Sequence, residues 1–212
     1  MKPSPFASFV VDALLRRLRI LSEQQIEMLA GEFETTIEVN QGIGWLERNG
    51  LVHSFGVEVK TLQLRKPIAT WYPKKSHRPS FGKISWVAKS RFQKTDAVYS
   101  RLFIASEVAE RRFGGVGGNL RQPNQIMHDL GTSATFIARR KMKRASDGEW
   151  IGEDLLRRFY RHLKIKKIPD AAIVDENGIE KAIEFAGRDY SKQYLERFHH
   201  YWAKRKTPYE IW

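Results

Sequence analysis

The sequence predicts an α+β fold in two parts: an N-terminal winged helix-turn-helix over residues 1–73 and an αβββαβ core over residues 95–212, joined by a basic, aromatic linker over 74–94. Three observations carry this. Three capped helical segments precede two strand-like runs with a basic turn between them. From Asn124 onward the pattern reads helix, strand, short helix, strand, strand, helix, strand. Within that run, residues 168–188 read as a β-hairpin, because Ala171–Val174 and Glu180–Phe185 are strand formers around a Glu176-Asn177-Gly178 turn.

The first helix starts at Ser4-Pro5, a capping serine followed by proline at the first helical position. Phe6, Phe9, Val10, Ala13, Leu14 and Leu18 give it one apolar stripe. Ser22 and Gln25 have capping-box spacing, with Leu21 and Ile26 as a hydrophobic staple, and Gly31 closes this second helix. Thr35 and Glu38 repeat the capping-box spacing for a third helix that Asn49-Gly50 ends. Strands at Val57–Leu64 and Ile68–Tyr72, around Arg65-Lys66-Pro67, complete a winged helix. Its recognition helix carries Glu38, Glu47 and a single cation, Arg48, and Asn40 and Gln41 are its base-reading candidates.

Between Lys60 and Lys94 there are ten Lys or Arg residues and no Asp or Glu, with Trp71, Tyr72, Phe81, Trp86 and Phe92 interleaved. Pro73, Pro79 and Gly82 give the middle a linker's composition. Such a segment either tracks a nucleic-acid backbone while stacking bases, or is a solvated linker whose aromatics plug a domain interface. A helix is expected from about Thr95 to Arg112, ended by the flexible joint 113–118. No Gly-Lys-Ser/Thr follows those glycines, so they are no P-loop. Another helix starts at Pro123-Asn124-Gln125, is broken or bent near Gly131 and reaches about Arg144, where residues 139–144 hold five cations in six. The phosphate-contact candidates are Lys60, Arg65, Lys66, Lys74, Lys75, Arg78 and Lys83, then Arg139, Arg140, Lys141, Lys143 and Arg144.

Composition limits the function classes. The formal net charge is +13, which favours a polyanionic partner, because each cation placed on a phosphate releases a counterion. Cysteine is absent, which removes disulfide frames and thiolate metal sites and fits a cytoplasmic location. No apolar run approaches the ~18 residues of a membrane span, and the N-terminus lacks a signal-peptide layout. Asp170 opens the first strand of the hairpin and Glu184 lies late in the second, so an antiparallel pairing brings two acids to one end of the sheet. Paired acids without an apolar reason to be there suit Mg2+ or Mn2+.

The order αβββαβ, with Pro169-Asp170 at the second strand and Glu184-Phe185-Ala186 at the third, resembles the PD-(D/E)XK, restriction-endonuclease-like fold. Ala186 stands where that signature has lysine. The wider set of motifs is a winged helix, His128-Asp129-Leu130, Trp150 with Glu153, Pro169-Asp170-Ala171, residues 184–191 and Phe198-His199. Together they resemble the plasmid replication-relaxation family, and within it MobC-type mobilization relaxases.

The resemblance implies a metal-dependent endonuclease that binds plasmid origin DNA, single- or double-stranded, and nicks one strand, in company with other relaxosome proteins. It implies Asp170 and Glu184 as metal ligands, with Glu153 either a further ligand or a helix cap. Lys192 or Arg188 would replace the missing lysine, since the cation migrates to the following helix in some nucleases of this fold. His128 would act as ligand or general base, or hydrogen-bond within a helix interface. Tyr190 is either a DNA nucleophile or a cover for the sheet edge. Two alternatives stand beside this: a non-catalytic mobilization or replication factor with a degenerate nuclease-like domain, and a winged-helix regulator with a partner-binding domain.

Overall fold

The computed structural model describes residues 3–31, 36–75, 77–117, 125–142, 148–159 and 165–212. It is mixed α+β. In chain order the elements are α1 (Pro5–Arg16), β1 (Leu21–Ser22), α2 (Glu23–Ala30), α3 (Thr36–Arg48), β2 (Val52–Val59), β3 (Ala69–Trp71), α4 (Phe81–Gln93) and β4 (Val98–Ala105). They continue with α5 (Glu107–Phe113), α6 (Ile126–Lys141), β5 (Glu149–Gly152), α7 (Glu153–Phe159), β6 (Ala171–Asp175), β7 (Gly178–Glu184), α8 (Lys192–Lys204) and β8 (Tyr209–Ile211). Among the described residues no helix is long and apolar enough to cross a membrane.

The chain divides into two compact units, Met1–Thr61 with Ala97–Ser133, and Leu62–Asp96 with Ala134–Trp212. This differs from the expected partition at residues 73 and 95, because the segment read as a linker folds into the second unit.

In the first unit Ser4 caps α1 by accepting the Ala7 N–H at 3.1 Å, and Pro5 takes the first turn. The capping box of α2 forms in both directions: Ser22 Oγ accepts the Gln25 N–H at 3.2 Å and Gln25 Oε1 accepts the Ser22 N–H at 3.1 Å. The cap expected from Thr35 and Glu38 lies outside the described residues and side chains. Gly50, at φ 64°, ends α3 in the left-handed conformation that favours glycine. The sheet has the order β1-β4-β2 and is antiparallel throughout.

The β4 strand corrects the helix expected over 95–112. Val98, Tyr99, Leu102, Phe103 and Ile104 are strand formers, and β2 supplies an eight-residue partner from Val52↔Ala105 to Val59↔Val98. Helix begins only at Ser106, whose hydroxyl accepts the Ala109 N–H at 3.1 Å. The expected hairpin between 57–64 and 68–72 is likewise absent: β3 pairs with β8 instead, with Trp71 stacked on Tyr209 at 5.5 Å. Pro67, which has no N–H, sits in the stretch between the two expected strands. The described part of the expected joint at 113–118 is held in place. The Val116 N–H donates to Leu15 O at 2.8 Å, and a Cβ on Gly115 would stand 2.7 Å from that same oxygen.

In the second unit the sheet order is β3-β8-β7-β6-β5, with β7 and β8 parallel and the other pairs antiparallel. The β6–β7 hairpin forms as the sequence predicts. Its two-residue turn is Glu176-Asn177, and the Asn177 N–H donates to Asp175 Oδ1 at 2.8 Å. One core packs Ala182, Tyr209 and Ile211 of the sheet against Phe81, Ile84 and Ala88 of α4 and Leu195, Phe198 and Trp202 of α8. The buried positions of α4 recur at helical spacing, which is why residues 81–93 are helix and not linker. The break expected near Gly131 does not occur, since α6 is one helix across it, and in the rest of the unit Phe136 of α6 meets Trp150 of β5 edge-on at 5.3 Å.

Candidate active site in the second unit

The hairpin register places the two acids side by side. Ala171 pairs with Ile183, so the next rung sets Asp170 opposite Glu184. Asp170 Oδ2 accepts the Phe185 N–H at 2.8 Å, which fastens its carboxylate to the strand that carries Glu184. Glu184 is buried, 1% exposed. Its Oε1 accepts the hydroxyls of Tyr194, at 2.7 Å, and Tyr190, at 3.2 Å. The two tyrosine rings lie 4.5 Å apart. Ser191 positions them by capping α8, accepting the Tyr194 N–H at 3.1 Å.

Charge and burial act on these phenols in one direction. Burial raises the pKa of Tyr190 well above the ordinary value, and the nearby Asp170 and Glu184 raise it further. Tyr194 is raised by burial, then by the charge and hydrogen bond of Glu184. Both are therefore neutral donors near pH 7, and neither is primed to attack a phosphate as a phenolate.

The cation beside this pair is Lys167, in the loop leading to β6. Its ammonium sits 3.8 Å from the Tyr194 ring centroid and 5.3 Å from that of Phe198. Burial lowers its pKa below the ordinary lysine range; Glu184 opposes that shift, Arg197 adds to it, and Asp170 opposes it. One side chain thus feels both carboxylates. The two cations named from sequence are placed otherwise. Arg188 is exposed and pairs with its neighbour Asp189 at 3.2 Å, and Lys192 is exposed in the first turn of α8. Ala186, at the signature lysine position, is buried in the core.

The remaining expected residues belong to the other unit or take a different role. The Glu153 N–H donates to Asp170 O at 2.9 Å, so its backbone adjoins the site, but its carboxylate is engaged by Arg157 one turn along α7. His128 belongs to the first unit, where its Nδ1 lies 3.9 Å from Asp129, itself paired with Arg19 at 3.1 Å. Among the described residues no three His, Cys, Asp or Glu side chains converge to hold a metal ion. Asp170 and Glu184 alone still fit one, since Mg2+ is commonly held by one or two carboxylates with water and phosphate completing its shell.

Arg139 is corrected from a phosphate contact to a buried structural cation. It is 6% exposed and its Nη1 lies 2.5 Å from Glu210 Oε2. Trp212 Nε1–H donates to the same oxygen at 2.9 Å, and Lys181 Nζ lies 3.5 Å from Oε1. Burial alone would raise the Glu210 carboxyl; the hydrogen bond and charge of Arg139, with Trp212 and Lys181, hold it below its ordinary value. Arg140 is half-buried over the Phe136 ring and Lys141 is exposed, while Lys143 and Arg144 lie outside the described residues. Lys60 is half-buried in the first unit; Arg65, Lys66, Lys74, Lys75, Arg78 and Lys83 are exposed in the second.

Sequence reasoning missed Lys167 and the role of Tyr194. The available signal was Lys166-Lys167 directly before Ile168-Pro169-Asp170, a basic pair at the entry to the acid-bearing strand. Compared with known families, curated proteins and solved structures, the chain matches none, so the carboxylate pair is interpreted on its own chemistry.

Proposed function

We propose that this chain is a metal-dependent DNA nickase of relaxase type, of the kind found in the plasmid replication-relaxation family, that cuts one strand of origin DNA for mobilization or replication. The observation that carries this reading is the constellation of Asp170, Glu184 and Lys167. Two carboxylates come side by side at the end of the β6–β7 ladder, and a partly desolvated lysine sits over the ring of Tyr194, the tyrosine that donates to Glu184. Asp170 and Glu184 would hold Mg2+ or Mn2+, which when bound supplies Lewis-acid polarisation of the phosphate. Lys167 would stabilise negative charge developing on the phosphate oxygens, the part the signature gives to the lysine that Ala186 replaces. Tyr190 and Tyr194 fix the Glu184 rotamer and keep the site from collapsing around an unsolvated carboxylate.

Two topologies support the same reading. The order α1-β1-α2-α3-β2-β4, with the sheet β1-β4-β2, suits a winged helix whose wing is β2 and β4. The order α6-β5-β6-β7-α8-β8, with β7 and β8 parallel, suits an αβββαβ nuclease core interrupted by α7.

Incubation with supercoiled origin plasmid and Mg2+ or Mn2+ tests the proposal. Open circles should appear with the wild type and vanish with Asp170→Asn and Glu184→Gln while DNA binding persists; undiminished nicking by both variants would sink the site assignment. A second reading, a DNA-binding mobilization factor without catalysis, draws on the capture of Glu184 by two tyrosine hydroxyls. It predicts tight, salt-sensitive binding and no open circles.

A further inference from the structure

A groove of about 960 Å3 follows one face of α8 within the second unit. Arg197, Lys204 and Arg205 line it from the helix side and Arg78, Lys166 and Lys167 line it too, so among the described residues six cations face the groove against one acid, Glu196. That acid is itself neutralised by Arg78 at 3.1 Å. The helical periodicity is clean: Leu195, Phe198 and Trp202 bury the opposite face of α8 in the core. On the grooved face, Arg197, Lys204 and Arg205 are exposed, so their charge is available at the surface. Lys167 lines the groove, and its ammonium sits 3.8 Å from the centroid of the Tyr194 ring, whose hydroxyl donates to Glu184, so Lys167 and Tyr194 link the basic groove to the acid pair.

We propose that this groove binds the sugar-phosphate backbone of a single DNA strand and leads it to Lys167 at the carboxylate pair. The proposal rests on the nickase reading and names the path its substrate takes. From Gln193 to the C-cap Arg205, α8 extends about 18 Å, enough to follow a short run of backbone phosphates. Cations at Arg78 and the Lys166-Lys167 loop, together with those of α8, suit a strand lying in a trough; the outer surface of a duplex would meet only the rim. Tyr201 adds an aromatic wall of the kind that stacks bases, held in place as its hydroxyl accepts the Lys166 N–H at 2.8 Å.

The test is fluorescence anisotropy of the full chain in EDTA, with a labelled oligo(dT) of about 20 nucleotides and a duplex of equal length, across a salt series. Arg197, Lys204 and Arg205 are all exposed, so the triple variant Arg197→Gln/Lys204→Gln/Arg205→Gln keeps the fold. It should weaken single-strand binding at least about tenfold and reduce the slope of log affinity against log salt by about 2, at ~0.7 per phosphate contact. The charge-matched control Lys89→Gln/Arg111→Gln/Arg112→Gln should change neither by as much. Equal losses in both variants, or an unchanged slope in the groove variant, would overturn the proposal, as would tighter duplex binding that falls equally in the groove variant. The anisotropy assay in EDTA is separate from plasmid nicking in Mg2+ or Mn2+, so failure of the groove proposal alone shows as unchanged strand binding by the groove variant with wild-type nicking intact. A failed nickase reading appears instead as absent nicking with single-strand binding retained, and absence of any DNA binding by the wild type would overturn both.

Discussion

Glu184 and Glu210 are two buried carboxylates on neighbouring parallel strands, and their surroundings could hardly differ more. Ile183 pairs with Glu210 and Glu184 with Ile211, so the two acids point to opposite faces of one sheet. Glu210, 0% exposed, meets a buried arginine, a lysine and an indole N–H. Glu184, 1% exposed, accepts from two neutral phenols, and a lysine ammonium sits over one of their rings. A carboxylate neutralised by direct ion pairs serves the fold, because removing one partner strands a buried charge. A carboxylate solvated by neutral hydroxyls keeps its charge available to an incoming cation. The comparison separates a structural acid from a candidate catalytic one at equal burial.

The sharpest way to break this contrast is to remove each acid in turn. Glu184→Gln should reduce plasmid nicking by at least about a thousandfold, some 4 kcal/mol of barrier, while its urea unfolding midpoint stays near that of the wild type. On the other face, Arg139→Met should leave the nicking rate per folded molecule unchanged but lower unfolding free energy by about 3–5 kcal/mol, because Glu210 loses its main partner. A stable Arg139→Met protein would mean that Lys181 and Trp212 suffice for Glu210. Lys167→Met should slow nicking about a hundredfold, as loss of one charge-stabilising donor does, with little change in melting temperature. Smaller still, Tyr194→Phe removes one hydrogen bond to Glu184 and should cost about 1.5 kcal/mol in denaturant unfolding.

The smallest expected effect is on acid stability. The carboxyl of Glu210 is depressed in the folded state relative to its ordinary value of 4.5. The unfolded chain therefore takes up that proton first, so the contribution is complete above about pH 4.5 and lost as pH falls through the lower folded value. Urea titrations over that range should show a shallower acid loss for Arg139→Met than for the wild type.

The sequence made local features legible and long-range ones opaque. The caps at Ser4 and Ser22 and the β6–β7 hairpin depend on residues a few positions apart, so spacing alone reveals them. Asp170 and Glu184 were readable as neighbours for the same reason. Strand β4 was not, because its partner β2 lies almost forty residues away and its apolar residues also fit a helical stripe. Helix α4 was hidden by Pro79, Gly82 and the surrounding cations, although Phe81, Ile84, Ala88 and Phe92 carry its buried face. The run at 139–144 looked uniform as charge, and only the fold distinguishes Arg139, turned onto Glu210, from exposed Lys141. Lys167 escaped notice because it meets Tyr194 and Glu184 by tertiary folding, with no fixed sequence interval to Asp170 that chemistry would demand.

The eight-rung ladder between β2 and β4 has a practical consequence for dissecting the molecule. Its last rung joins Val59 to Val98, so the chain leaves and re-enters the first unit close to one paired rung, and 62–96 is a detour. Cutting the chain after residue 73 would strip the first unit of β4, the central strand of its sheet, and such a fragment should aggregate through the exposed edges of β1 and β2. Bridging Val59 to Val98 with a two-residue Asn-Gly turn would instead preserve every rung and give a continuous hairpin. The boundary that matters for a minimal version of this unit is thus a splice between two paired residues, not a terminus along the sequence.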